Sequence, residues 1–266
     1  MSAIGVGTPQ LFRARAKAAA QRAVESDETL AEAHNALAYT RAYCDWDWNG
    51  SEATFRHALE LNPALWITHD WYALTLGCLG RMDEALAQNR RALELEPLSV
   101  VLHHHAAWLS WLARRYDDAL ELSRRTLELD EDFGWAYLWS GLALEQKSRY
   151  EDAIAALRKA SELTGGFVQA RAALAHALAL DERRDQAEDV LRAMEHPSTA
   201  GYVDPYAIAV VYAGLGDFDR IFEWLEQAFE ERATWLTLFV KGDPRFDVLR
   251  SDPRFGDLLR RMGFAR

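Results

Sequence analysis

Residues 58–63 read ALELNP, residues 92–97 ALELEP and residues 126–131 TLELDE, and a worn copy, ASELTG, stands at 160–165. Each phrase begins 34 residues after the one before it. A fixed period of about 20–50 residues marks a stacked-repeat architecture, in which one supersecondary unit recurs and buries its apolar face against its neighbours. Two other columns keep the same spacing. Ala85, Ala119, Ala153, Ala187 and Ile221 each follow a turn-like segment (GRMDE, RRYDD, SRYED, ERRDQ, GDFDR), and Ala73, Ala107, Gly141, Ala175 and Ala209 put a small residue mid-way along the element before it.

The spacing predicts two helices per unit, joined by a short turn. The prolines fall at 9, 63, 97, 197, 205, 244 and 253, which leaves residues 98 to 196 free of proline and rich in Ala, Leu, Glu and Arg, all good helix formers. Two helices reach the close end of the ~8–10 Å packing range only where facing positions lack bulk, so small Ala107 of a first helix (about 100 to 113) is expected to meet small Ala119 of a second (about 116 to 129).

These residues resemble the tetratricopeptide repeat family. Residues 66 to 99 match its pattern best, through His69, Tyr72, Ala73, Ala85, Asn89, Ala92 and Pro97. The resemblance runs from about residue 11 to 235 and implies an all-α, right-handed superhelical solenoid. Six units follow, at 31–65, 66–99, 100–133, 134–167, 168–201 and 202–235, the first with one extra residue. Residues 1–10 are expected to be a flexible N-terminus and residues 11–30 a half-repeat, a second helix without its first, as if the array were cut from something longer. In the first unit the turn reads DWDWNGSEA, where Trp46 and Trp48 are expected to pack over the neighbouring repeat while Asp45 and Asp47 stay wet. Residues 236–266 are expected to cap the array. Asp204–Pro205, Asp243–Pro244 and Asp252–Pro253 each set an N-cap acid before a proline at the first helical position, and DPRFDVLR recurs nine residues later as DPRFGDLL. The DWDW turn and paired DPRF tail together look like the bacterial repeat module often found C-terminal to a winged-helix, nucleotide cyclase or serine/threonine kinase domain.

Composition narrows the function. With 30 Lys and Arg against 41 Asp and Glu, the net charge of −11 repels nucleic acid and anionic membrane. No segment approaches the ~20 apolar residues of a membrane helix, and the start has neither the basic residues nor the apolar run of a signal peptide. Two cysteines, Cys44 and Cys78, are too few for a disulfide framework, lack a CxxC spacing and read as small buried hydrophobes in a reducing cytoplasm. His103, His104 and His105 are consecutive, so on a helix they point about 100° apart and do not converge on a metal. His34, His69 and His103 share one repeat position, where the family has a bulky packing residue. No acid pair or Ser, His and Asp set emerges, and neither a catalytic residue, a cofactor nor a metal is expected.

The resemblance assigns the first helix of each unit to the concave face. Carried over position by position, the groove residues include Asn35, Tyr39, Tyr43, Asp70, Leu74, His104, Trp108, Trp111, Trp135, Glu145 and Tyr206. Trp and Tyr offer large contact area at low entropy cost. The alternative is that these aromatics pack against neighbouring helices and the terminal segment. Asn35 with Tyr39, then Asp70 with Leu74, do not match the carboxylate clamp of chaperone-tail binders. The expected function is a non-catalytic scaffold in a bacterial regulatory or signalling system. Its groove takes a peptide or helix with apolar anchors and some positive charge, and neither nucleic acid nor membrane is a partner. A small-molecule sensory module lacking its effector domain, and self-association into a homodimer, stand as alternatives.

Overall fold

A computed structural model describes residues 9–195 and 202–264; the expected flexible N-terminus lies almost wholly outside them. Helix α1 (Pro9–Ser26) falls in the segment expected to be a half-repeat, and six helix pairs follow: α2 (Ala31–Thr40) with α3 (Trp48–Leu61), α4 (Trp66–Cys78) with α5 (Met82–Leu95), α6 (Val100–Leu112) with α7 (Tyr116–Leu129), α8 (Gly134–Gln146) with α9 (Tyr150–Leu163), α10 (Val168–Leu180) with α11 (Arg184–Glu195), and α12 (Pro205–Leu215) with α13 (Phe218–Glu230). The tail holds α14 (Thr234–Phe239), a 3-10 helix (Pro244–Leu249) and α15 (Pro253–Arg261). Among the described residues all regular structure is helical, and the pairs stack as a superhelical solenoid, each first helix packing on the first helix of the next unit.

The small-residue columns meet as expected. Ala107 and Ala119 are fully buried. At Gly141 a methyl group would stand 2.5 Å from Leu157 Cγ and 3.2 Å from the carbonyl of Ala153, so α8 and α9 approach through a gap that only glycine leaves. A further column runs through the turns. Trp46, Gly80, Arg114, Ser148, Glu182 and Gly216 all adopt positive φ, between 57° and 77°, and stand 34 residues apart. At five of them the next residue's N–H reaches back to close the helix end: Arg81 to Leu76, Arg115 to Ser110, Arg149 to Leu144, Arg183 to Leu178 and Asp217 to Tyr212. This is the left-handed cap that reverses a chain after a helix, and only two of the six carriers are glycine.

A fourth column closes the loop between units. The Nε2 atoms of His34, His69 and His103 bond the carbonyls of Glu28 (2.9 Å), Pro63 (3.0 Å) and Pro97 (3.0 Å), each six residues back. Tyr137 donates its hydroxyl to Glu131 in the same way, at 3.3 Å. A carbonyl only accepts, so each imidazole carries its proton on Nε2. The histidines therefore seal the entry to a first helix.

The extra residue of the first unit is absorbed in a π-helical turn, Arg41–Asp45, where the N–H of Asp47 reaches the carbonyl of Arg41 at 2.9 Å. That widened turn aims Trp46 and Trp48 away from the neighbouring repeat, contrary to expectation, and into the C-terminal tail. Trp46 Nε1 donates to Thr237 Oγ1 at 3.0 Å, and its ring lies 5.3 Å from Phe229. Trp48 Nε1 donates to the carbonyl of Met262 at 2.9 Å and stacks on Phe264. Asp45 and Asp47 are exposed, the latter capping α3 by accepting from the N–H of Gly50. All three Asp–Pro starts form as expected, Asp204, Asp243 and Asp252 accepting from the N–H of Tyr206, Arg245 and Arg254.

Nothing lies within 4 Å of a methyl group placed on Gly216, so Gly216→Ala tests the left-handed backbone alone. It is expected to lower stability in urea denaturation by about 1 kcal/mol, and Ser148→Gly, at the same position two units earlier, is expected to raise it by a smaller amount.

Candidate functional site

The first helices α2, α4, α6, α8, α10 and α12 form the concave face, and the tail enters it. Phe239 of α14 stacks on Trp108 of α6 at 4.9 Å and lies 5.9 Å from Trp139 of α8 and 6.3 Å from both Trp111 and Tyr206. The backbone of the tail is held as well. Cys78 Sγ donates to the carbonyl of Leu238, Lys241 Nζ to that of Leu79 at 3.0 Å, and Arg114 to that of Gly242 at 2.6 Å. From the first unit comes the Trp46–Thr237 bond. The α14 segment thus sits where an extended ligand of such a groove would sit.

Its strongest anchor is ionic. Asp243 and Arg245 are both buried, with Arg245 Nε to Oδ1 at 2.9 Å and Nη2 to Oδ2 at 2.6 Å. Tyr206 donates its hydroxyl to Asp243, and the guanidinium lies 5.5 Å from the Trp111 ring centre. Burial opposes the Asp243 charge, but the Arg245 guanidinium and the hydrogen bonds outweigh it and hold the carboxyl below its ordinary range. Sequence reasoning missed this triad, because the DPRF phrase signals a helix start and only the fold brings Tyr206 to it.

Of the expected groove residues, Asn35, Tyr43, Asp70, Leu74, His104, Trp108, Trp111, Glu145 and Tyr206 are buried. Tyr39 and Trp135 alone keep part of their surface in solvent. Asp70, His104 and Glu145 pair with neighbouring side chains, whereas the buried Asn35 Oδ1 and the indole N–H groups of Trp108 and Trp111 have no partner among the described residues. His105 Nδ1 donates to both oxygens of Asp70 (2.9 and 3.0 Å), Trp139 Nε1 donates to His104 Nδ1 (2.7 Å), and His176 Nδ1 bonds Glu145 (2.9 Å). Burial pushes the Cys78 thiol up to about 12 and raises that of Cys44, so neither offers a ready thiolate. No group of three metal-ligating side chains occurs among the described residues.

Comparison with known proteins agrees with this architecture. A family model described as tetratricopeptide repeat matches residues 136–165, the span of α8 and α9. The match covers one of the six helix pairs, and the other five repeat its architecture. Similar folds occur in the Cut9–Hcn1 hetero-tetramer of the APC/C (TM-score 0.65, 16% identity, 94% of this chain and 46% of that one). They occur also in a human IFIT1 dimer crystallised with PPP-AAAA (0.63, 19%, 94% and 65%) and in PilW, a type IV pilus biogenesis factor (0.57, 18%, 75% and 92%). No curated protein matches the sequence significantly.

Beside the tail, two groups of aromatic side chains keep part of their surface in solvent. Tyr39 and Trp71 lie 4.8 Å apart, Trp135 and Phe167 5.0 Å, and Trp135 stacks on Trp235 of the tail at 5.8 Å; all five are half-buried. His105, also half-buried and bonded to Asp70, stands on α6 between them in chain order. Trp71, Phe167 and Trp235 were not legible as groove residues. Trp71 and Phe167 lie off the family's inward-facing positions, and Trp235 comes from the tail.

Asp243→Asn leaves Arg245 buried without its counter-charge and is expected to destabilise the protein by about 3–5 kcal/mol, whereas Tyr206→Phe costs about 1 kcal/mol. Two groups tie stability to pH in opposite senses. Burial, reinforced by His105, holds His104 well below its ordinary 6.5, so on acidification the unfolded chain takes the proton first. Stability therefore falls below pH 6.5, by up to about 1.4 kcal/mol per pH unit. Burial lifts Asp204 from 3.8 to about 7, so its contribution is present below pH 3.8 and lost as pH rises through about 7. Melting temperatures between about pH 4 and 8 should lose the acid limb in His104→Gln and the neutral limb in Asp204→Asn, which keeps the capping acceptor.

Proposed function

We propose that the protein is a non-catalytic protein-interaction scaffold whose ligand is a peptide or helix carrying apolar anchors and positive charge. The observation that carries this reading is the pair of half-buried aromatic groups, Tyr39 with Trp71 and Trp135 with Phe167 and Trp235. Aromatic faces take up apolar side chains at low entropy cost and attract Lys and Arg through the ring quadrupole. A net charge of −11 favours a basic ligand over an acidic one. The similar fold of Cut9 in a complex with Hcn1 is consistent with a protein partner. A non-catalytic role is supported by the polar groups of the inner face, whose histidines and acids bond one another. The resemblance of the DWDW turn and DPRF tail to modules beside regulator, cyclase and kinase domains supports a bacterial, cytoplasmic regulatory or signalling setting.

The expected site moves with the tail. Trp108 and Trp111 lie under Phe239, so partner recognition falls to the two aromatic groups beside the tail, which hold Tyr39 and Trp135 of the original set.

Peptide arrays in which basic and aromatic content are varied independently test the reading. Segments with apolar anchors flanked by Lys or Arg are expected to bind, and a Tyr39→Ala, Trp135→Ala double variant with unchanged circular dichroism is expected to bind them at least about tenfold more weakly. Preference for acidic segments, or binding indifferent to the double substitution, would sink it.

A further inference from the structure

The two ends of the array meet at one junction. From the first end come α1 and the π-helical turn; from the last come Tyr202 and Arg232, the residue with φ of 51° between α13 and α14. Arg232 donates from Nη1 to the carbonyl of Cys44 at 2.7 Å and lies over the Trp46 ring at 4.5 Å. Lys17, one turn beyond Arg13 on α1, pairs with Asp45 at 2.5 Å.

Arg13 stands apart from the guanidinium groups that have a carboxylate partner. Arg245 is matched by Asp243, Arg81 by Glu52 and Glu84, and Arg261 by Glu226. The Nη1 and Nη2 atoms of Arg13 are buried and bond nothing among the described residues. The ionisable groups that act on Arg13 are Cys44, Tyr39 and Tyr202, together with the like charge of Arg232, which is itself bonded to the carbonyl of Cys44. A guanidinium does not shed its proton in a protein, and an unpaired buried charge is among the most destabilising features a fold can carry. Burial, then repulsion from Arg232, lowers the proton affinity of Arg13, as expected of a cation without a counter-ion. The planar fork of an unbonded guanidinium fits two oxygens of one carboxylate or phosphate group.

We propose that Arg13 and Arg232 form an oxyanion site at the junction, one that takes a carboxylate or phosphate group and ties the first unit to the last when occupied. The ligand class is defined by the fork and the doubled positive charge. Tyr202, whose hydroxyl bonds Glu231 at 3.0 Å, stands at the rim.

Thermal unfolding of the full chain tests this in chloride, and with inorganic phosphate or acetate replacing chloride at equal ionic strength. Phosphate, acetate or both are expected to raise the melting temperature by mass action, and the more effective of the two identifies the ligand class. Arg13→Met removes the unpaired charge but keeps the aliphatic stem. It is expected to raise the melting temperature in chloride and to abolish the anion-dependent shift. A wild-type protein that responds to neither anion, or an Arg13→Met variant that melts lower in chloride or keeps the whole shift, overturns the proposal. Arg13→Lys retains the charge without the fork and guards against misfolding of the Met variant. Titration calorimetry with the more effective anion should show at least about tenfold weaker binding to Arg13→Lys than to wild type; equal affinity rejects the site.

Discussion

The docking of the Trp46–Trp48 turn onto the C-terminal tail is the contact on which the rest of the molecule depends. A helical-repeat stack has no intrinsic reason to stop or to bend back, since each unit touches only its neighbours. Here one extra residue, taken up as a π-helical turn, swings two indole rings out of the stack. Thr237 and the carbonyl of Met262 receive their N–H groups, and Phe229 and Phe264 their faces. The tail is thereby held along the inner face, where Phe239 fills the space between α6, α8 and α12 and the Asp243–Arg245–Tyr206 triad is closed off from water.

This self-occupancy changes what the inner face can do. The tryptophans that would anchor a ligand in an empty groove instead make a continuous stack of rings with the chain's own helix. The proposed recognition surface is confined to the margin, where Trp235 of the tail joins Trp135 and Phe167 of the repeats. The tail therefore both fills the groove and supplies part of the remaining surface, so a substitution in α14 alters stability and the proposed recognition surface together.

The repeat architecture was legible because it is local. Small residues at Ala107, Ala119 and Gly141 reflect helix contacts inside a unit, and those contacts recur every 34 residues. The left-handed turn residue recurs just as strictly, yet four of its six carriers are Trp46, Arg114, Ser148 and Glu182, so composition hid a conformational constraint that position reveals. The histidine column was visible as a repeated residue, but its bond to a carbonyl six residues back was not. Least legible was the fate of the groove. Whether Trp108 faces a ligand or Phe239 depends on a contact spanning 131 positions, and no periodicity reports such a pairing.

The indole bonds of Trp46 and Trp48 join residues 191 and 214 positions apart. In a stack held together only by neighbour contacts, units fold and fray nearly independently and the chain acquires structure as it is synthesised. A clasp of this span sets a different schedule. The first unit emerges from the ribosome with its two indoles, and the inner faces of α6 and α8, without their cover until the segment from α14 to Phe264 has been made. Closure waits on that segment, and the clasp raises the contact order of the fold above that of a stack joined by neighbour contacts alone.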